Sequence, residues 1–160
     1  QITEDSLDKS IKFFNINPKM KNELLNLYKV LSTFDEIPET LKILKDKNYK
    51  LAILSNGTPV LLNELVKSNN MSNIFDDIFS IEEVGVFKPS SKVYEMPLKK
   101  YKIEKNQVVF LSANTWDVSG AGNYGFEAIW LNRNNSIFDN LDFTPKFQVQ
   151  SLKGILDIIK

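Results

Sequence analysis

Apolar and polar residues along this chain fall into blocks whose period switches between that of a helix and that of a buried strand. From Asp5 to Phe14 the residues Leu7, Ile11 and Phe14 recur at spacings of four and three, with Thr3 or Asp5 placed as a cap, which predicts a short amphipathic helix. Asn15 to Asn17 break it. Pro18 then opens a second helix with Met20, Leu24, Leu27, Tyr28 and Leu31 on one face, so a helical hairpin with a core-facing stripe is expected. Pro38 starts another helix, with Leu41, Ile43 and Leu44 inward and Lys42, Lys45 and Lys47 outward. It leads through Asn48 and Tyr49 into Leu51 to Gly57, LAILSNG, a short apolar run stopped by turn chemistry. Four apolar residues are too few for a helix and fit a central parallel strand covered on both faces.

The alternation then repeats. Thr58 and Pro59 cap and open a helix through Leu61, Leu62, Leu65 and Val66. Met71 to Asp76 reads as a turn or short helical segment, Ile78 to Ile81 as a strand, and Pro89 to Tyr101 as a helix that Pro97 should kink or shorten. Val108 to Leu111 is a strand, Trp116 to Tyr124 a helix, and Ala128 to Leu131 a strand. Phe147 to Val149 and Leu152 to Ile159 give a last short strand and a closing helix. Strands separated by helices imply an α/β fold with a parallel sheet flanked by helices.

Composition narrows the chemistry. With 160 residues, 42% of them hydrophobic and 25% charged, the chain reads as one soluble globular domain with room for a core. Twenty basic residues balance twenty acidic ones without a single-sign block, so neither nucleic acid nor a membrane surface is the expected partner. No cysteine means no disulfide, thiolate nucleophile or thiolate metal ligand, and is compatible with a reducing cytoplasm. No histidine removes Ser-His-Asp machinery and the commonest transition-metal ligand. Catalysis must run on carboxylates, lysine, tyrosine, hydroxyls, amides and backbone dipoles.

Those groups gather after the buried strands: Ser55-Asn56-Gly57, Phe87-Lys88-Pro89 and Ser112 through Asp117. In a parallel sheet the carboxyl ends share one edge, where a hydroxyl, an ammonium, an amide and a carboxylate can converge. Singly, each has a plain structural explanation. Ser55 and Asn56 are turn formers, Lys88 can be a solvated residue before proline, and Asp117 can answer a helix dipole.

Together they resemble the haloacid dehalogenase superfamily, in its L-2-haloacid dehalogenase branch. The resemblance rests on LAILSNGTP at 51–59, VFKPSSKVYE at 86–95, VVFLSANTWDVSGAGNYGF at 108–126 and AIWLNR at 128–133. It implies a metal-independent hydrolase in which an aspartate displaces halide from C2 of an L-2-haloalkanoate, and water hydrolyses the ester to a D-2-hydroxy acid. Carried over residue by residue, it gives Lys88, Ser112, Asn114 and Asp117 catalytic roles. Lys88 pairs with the nucleophilic carboxylate, while Ser112, Asn114 and Asp117 order that group and the hydrolytic water. Ser55, Asn56, Tyr94 and Trp116 become substrate-binding, with Trp116 as an apolar wall. The Mg²⁺ phosphatases of the superfamily place a further Asp four residues before the position of Asp117. Here that position is Ala113, where the dehalogenases often have Ser, so no metal or other cofactor is expected.

The resemblance also implies what this chain does not hold. It covers about the last two thirds to three quarters of a usual member. Residues 1–34 would be the remainder of a helical cap and residues 35–160 the α/β core without its first, central strand and that strand's nucleophilic aspartate. Asp35, in a connection before a helix, is a poor substitute, and the cap's substrate-side arginine has no counterpart. Two strand edges would lack a partner, so direct pairing of 51–54 with 108–111, pairing with another chain, or aggregation is expected. The expected partners are thus a small 2-haloalkanoic acid and a second copy or complementing segment, and the expected compartment is the cytoplasm. The alternatives are a Mg²⁺-dependent phosphatase, or a non-catalytic domain that keeps the scaffold and binds a partner or small acid.

Overall fold

Pro59 follows a hydroxyl cap, with the Leu61 N–H donating to Thr58 Oγ1 at 3.3 Å, so the turn after the first buried strand passes at once into a helix. The computed structural model describes residues 2–159. In chain order these form α1 (Ile2–Phe13), α2 (Lys21–Leu27), α3 (Ile37–Asp46), β1 (Ala52–Ser55), α4 (Pro59–Ser68), β2 (Asp77–Ser80), α5 (Ser91–Tyr101), β3 (Val109–Ser112), α6 (Thr115–Tyr124), β4 (Glu127–Leu131) and β5 (Phe147–Val149). Pro18–Met20 and Leu152–Asp157 are 3₁₀ turns, the latter where an α-helix is expected. Pro97 is buried inside α5, which runs on to Tyr101 rather than stopping short.

All strand pairs are parallel, as the alternation requires, but they lie in two groups. β1 pairs with β2 in the register Ala52↔Asp77 through Ser55↔Ser80. β4 lies between β3 and β5, with Val109↔Glu127 through Ser112↔Trp130 on one side and Ile129↔Phe147 on the other. Leu41, Leu44, Val66 and Met71 bury the β1–β2 side, with Leu152 and Leu156 of the tail packed on them. Tyr94, Val118, Ala121, Phe126, Ala128 and Trp130 form the core beside β3 and β4, and both Leu54 of β1 and Phe110 of β3 pack on it. Among the described residues no helix is long and apolar enough to cross a membrane.

Two expectations are corrected. The first concerns the unpartnered strand edges: of the three outcomes expected for them, direct pairing of β1 with β3 does not occur among the described residues. The reason lies between them: the Lys88 ammonium donates to the Leu54 carbonyl at 3.1 Å and stands 5.6 Å from the Phe110 ring centre. A side-chain bridge therefore occupies the space that direct strand contact would need.

The second concerns the helical hairpin. Of its expected core stripe, Met20, Leu27, Tyr28 and Leu31 are exposed, while Ile11 of α1 is buried. α2 stops after seven residues and packs on α1. Asn69 at the end of α4 ties the hairpin's exit down, donating to the Leu31 carbonyl at 2.8 Å and accepting the Thr33 N–H at 3.2 Å.

A carboxylate fixes the entry of β1. Asp76 accepts from Lys45 Nζ at 2.8 Å and from the Leu51 N–H at 2.8 Å, and its side chain is 17% exposed. The Lys45 hydrogen bond, helped by the Leu51 N–H, pulls the Asp76 carboxyl down from 3.8 to about 2. A folded-state pKa below the unfolded one stabilises the fold above the unfolded value and loses that contribution as pH falls through the folded value. Asp76→Asn should therefore lower stability by about 1–2 kcal/mol at neutral pH, and the gap from the parent should close between about pH 4 and pH 2. Urea unfolding across that range measures it, and a gap that does not depend on pH contradicts it.

The unpaired edges of β1 and β3 give a second expectation. The isolated chain should self-associate at micromolar concentration in sedimentation or light-scattering measurements. A persistent monomer would show that the side-chain bridge alone protects them.

Candidate active site

Each parallel strand that enters the site ends on a serine, and the chain turns sharply after it. At β1 the Gly57 N–H donates to Ser55 Oγ at 3.0 Å, and at β3 the Asn114 N–H donates to Ser112 Oγ at 3.1 Å. Both hydroxyls thus accept from the backbone two residues on, which fixes their oxygens and leaves their protons to donate. Ser80, which pairs with Ser55 in register, is buried at the end of β2 and donates to the Gly57 carbonyl at 2.8 Å. It braces the Ser55–Gly57 turn from beneath.

Lys88 lies in the loop between β2 and α5 and reaches across to both halves of the sheet. Its backbone N–H donates to Asn56 Oδ1 at 3.0 Å, and its ammonium donates to Leu54 O and, at 2.6 Å, to Asp117 Oδ2. The side chains of Lys88 and Asp117 are 8% and 4% exposed. An ion pair this buried loses hydration on both sides, and it holds only because further partners satisfy it.

Asp117 sits in the first turn of α6, where its charge meets the positive end of the helix. Its second oxygen, Oδ1, accepts from the Tyr94 hydroxyl at 2.9 Å. Tyr94 has no exposed surface, and its ring packs edge-on against Phe110 and Phe126. Burial above all, with the neighbouring Asp117 charge, pushes the Tyr94 phenol far above its ordinary value, so it stays a proton donor. α5 and α6 meet tightly here: a methyl group on Gly120 would come within 2.6 Å of both Pro89 Cβ and the Tyr94 hydroxyl.

The residues singled out from the sequence thus divide into two groups. Asn56, Lys88, Tyr94 and Asp117 form one connected polar chain, and the Lys88 ammonium also lies 5.9 Å from the Trp116 ring. Ser55 and Ser112 stand at the ends of β1 and β3, the two strands that each leave one edge unpaired. Asn114 and Trp116 are exposed, and the Asn114 side chain makes no protein hydrogen bond among the described residues. Tyr94 is set behind Asp117, so its reach to any ligand passes through that carboxylate. The lone arginine, Arg133, is spent elsewhere, bonded to Glu36 at 2.6 Å and stacked on Phe34.

Sequence reasoning missed Ser80 and Trp130. Ser80 ends its apolar run as Ser55 and Ser112 end theirs, a signal visible once the three are aligned. Trp130 Nε1 donates to the Ala113 carbonyl at 3.1 Å and so supports the turn after β3 from the neighbouring strand. Nothing in its apolar surroundings announced that.

With this geometry in hand, three comparisons agree. Residues 1–131 match the family model described as haloacid dehalogenase-like hydrolase. The chain is 32% identical to the (S)-2-haloacid dehalogenase of Pseudomonas sp. (strain YL), over all of this chain and 70% of that protein. It is 30% identical to (S)-2-haloacid dehalogenase 4A of Burkholderia cepacia, over 99% of this chain and 70% of that protein. Among solved structures, a crystal structure of an L-2-haloacid dehalogenase superposes with a TM-score of 0.93 at 30% identity, covering 98% of this chain and 70% of its own. The chain belongs to the haloacid dehalogenase-like hydrolases, in their L-2-haloacid dehalogenase branch.

Proposed function

We propose that this chain supplies the charge-stabilising half of an active site that removes halide from short (S)-2-haloalkanoic acids, a hydrolase acting on carbon–halide bonds. The observation that carries the reading is the buried Lys88–Asp117 pair, held at 2.6 Å and buttressed by Tyr94 at the carboxyl ends of β1 and β3. A second carboxylate entering between those strands would meet the Lys88 ammonium and the hydroxyl protons of Ser55 and Ser112. Lys88 would keep it ionised, and the hydroxyls would aim it.

The bonds balance simply. The carboxylate oxygen forms a bond to C2 as the carbon–halogen bond breaks, and halide leaves with the electron pair. Water then attacks the carbonyl carbon of that ester, the 2-hydroxy acid departs with the original carboxylate oxygen and one proton of the water, and the other proton goes to solvent. Only the first step touches C2, so the (S)-haloacid gives the (R)-hydroxy acid. Ser112, Asn114 and Asp117 order the nucleophile and the water. Asn56 and Trp116 border the substrate, and Tyr94 fixes Asp117. Lys88 contacts no carboxylate except Asp117 among the described residues, so the nucleophile of this reading is not one of them.

We read residues 1–34 as cap and 35–160 as core, the reaction as needing no cofactor, and the compartment as cytoplasmic, which the cysteine-free sequence fits. The metal-free reading is supported at Asp117: both its oxygens are already engaged, by an ammonium and a phenol. Ala113, four residues earlier, offers no oxygen ligand from its side chain.

In the catalytically competent protein that contains this chain, halide release from L-2-chloropropionate should be unaffected by chelator and should yield D-lactate. Mg²⁺-dependent release of phosphate without dehalogenation would support a phosphatase instead. Lys88→Met should lower halide release by about 100-fold or more. Circular dichroism separates that loss from unfolding, and a folded Lys88→Met protein with parental activity would contradict the role of Lys88.

A further inference from the structure

Residues 132–146, which join β4 to β5, lie as a strap along α6. Asn132 closes the strap's start, accepting the Ser136 N–H at 2.8 Å and donating to the Ser136 carbonyl at 2.9 Å. Phe138 packs edge-on against Trp130, with ring centres 5.0 Å apart. Phe143 presses on the backbone of α6 at Gly122, so closely that a methyl group there would come within 2.1 Å of its ring. Between these two aromatic anchors the Thr115 hydroxyl donates to Asp139 Oδ2.

Thr115 is the first residue of α6, flanked by Asn114 and Trp116. The strap therefore grips the turn after β3 from two directions. Phe138 backs Trp130, whose indole N–H holds the Ala113 carbonyl, and Asp139 holds Thr115 directly. Phe138 and Phe143 supply the buried contact, and the hydrogen bond sets the angle at which the first turn of α6 leaves the strand. Asp139 also places its charge at the positive end of that helix, which favours the same arrangement.

We propose that Asp139 is a positioning residue that acts through Thr115 to set the Trp116 wall, and with it the length of 2-haloacid that fits beside Lys88. The proposal rests on the dehalogenase reading of the site. Neither Asp139 nor Thr115 hydrogen-bonds Lys88 or Asp117 through a side chain among the described residues, so the proposal places their effect on fit and not on the chemical step.

The test uses Asp139→Ala, Thr115→Val and Thr115→Ser in the active protein. Kinetics are measured on 2-chloropropionate and 2-chlorohexanoate, and tryptophan emission and acrylamide quenching on the free protein, with a Trp116→Phe version of each variant to subtract the signal of Trp130. Asp139→Ala and Thr115→Val should raise KM for 2-chloropropionate by roughly fivefold while kcat changes by less than about twofold. They should also narrow the preference for the shorter acid by about tenfold, and Thr115→Ser, which keeps the hydroxyl, should restore both. Unchanged KM and preference, a fall in kcat alone, or a Ser variant as impaired as Val would each overturn the proposal. Absence of halide release from the parent protein would sink the reading of the site instead. The grip on Trp116 is then decided by fluorescence alone: a shift in Asp139→Ala and Thr115→Val that Thr115→Ser abolishes supports it, and unchanged emission and quenching overturns it.

Discussion

The buried contact between Lys88 and Asp117 is the interaction on which the rest of the site depends. Removing one partner of such a pair typically costs about 3–5 kcal/mol, because the other is left charged and unsolvated, whereas an apolar pair of similar volume is often no less stable. Stability alone does not account for keeping an ammonium there. The pair holds a positive charge at a fixed, buried place, and in the proposed reaction that charge would act on an incoming negative charge more strongly than it would in water. Every neighbour serves that placement: Leu54 O accepts from the same ammonium, Asn56 fixes the Lys88 backbone, and Tyr94 holds the far side of Asp117.

The same lysine explains the sheet. β1–β2 and β3–β4–β5 are parallel groups with unpaired edges, and they are joined by side chains rather than by a ladder. Leu54 and Phe110, one from each edge, share the aromatic core around Tyr94. Ser55 and Ser112 end the two strands whose facing edges are unpaired, and Lys88 lies between those edges. Fold and chemistry are set by one constraint, a cation bridging two half-sheets.

Much of this was legible in the sequence because local rules and tertiary demands agree. The apolar run at 51–54, Pro59 after a threonine, and the acid at 117 in a first helical turn each specify their element without help from distant residues. The pairing of Lys88 with Asp117 was less direct, since the resemblance assigned Lys88 to a different carboxylate, and the contact joins residues 29 positions apart. One expectation failed where the deciding contact is long-range. The stripe of Met20, Leu27, Tyr28 and Leu31 has helical spacing, but spacing cannot say whether another element covers it. Pro97 has no N–H to give the α5 ladder, yet it is buried within α5 and the helix runs on to Tyr101. The Thr115–Asp139 contact joins a helix start to a loop 24 residues later, and no local pattern signals it.

If Lys88 and its neighbours serve a carboxylate that bonds to the substrate, an oxygen of the protein must end in the product. A single turnover of the catalytically competent protein in ¹⁸O-labelled water tests this most directly. If the ester forms, the hydroxyl of the first 2-hydroxy acid carries ordinary oxygen taken from the protein, and the label stays on a protein carboxylate. Label in the hydroxyl of that first product would mean that water attacked C2 itself, and the account would be wrong.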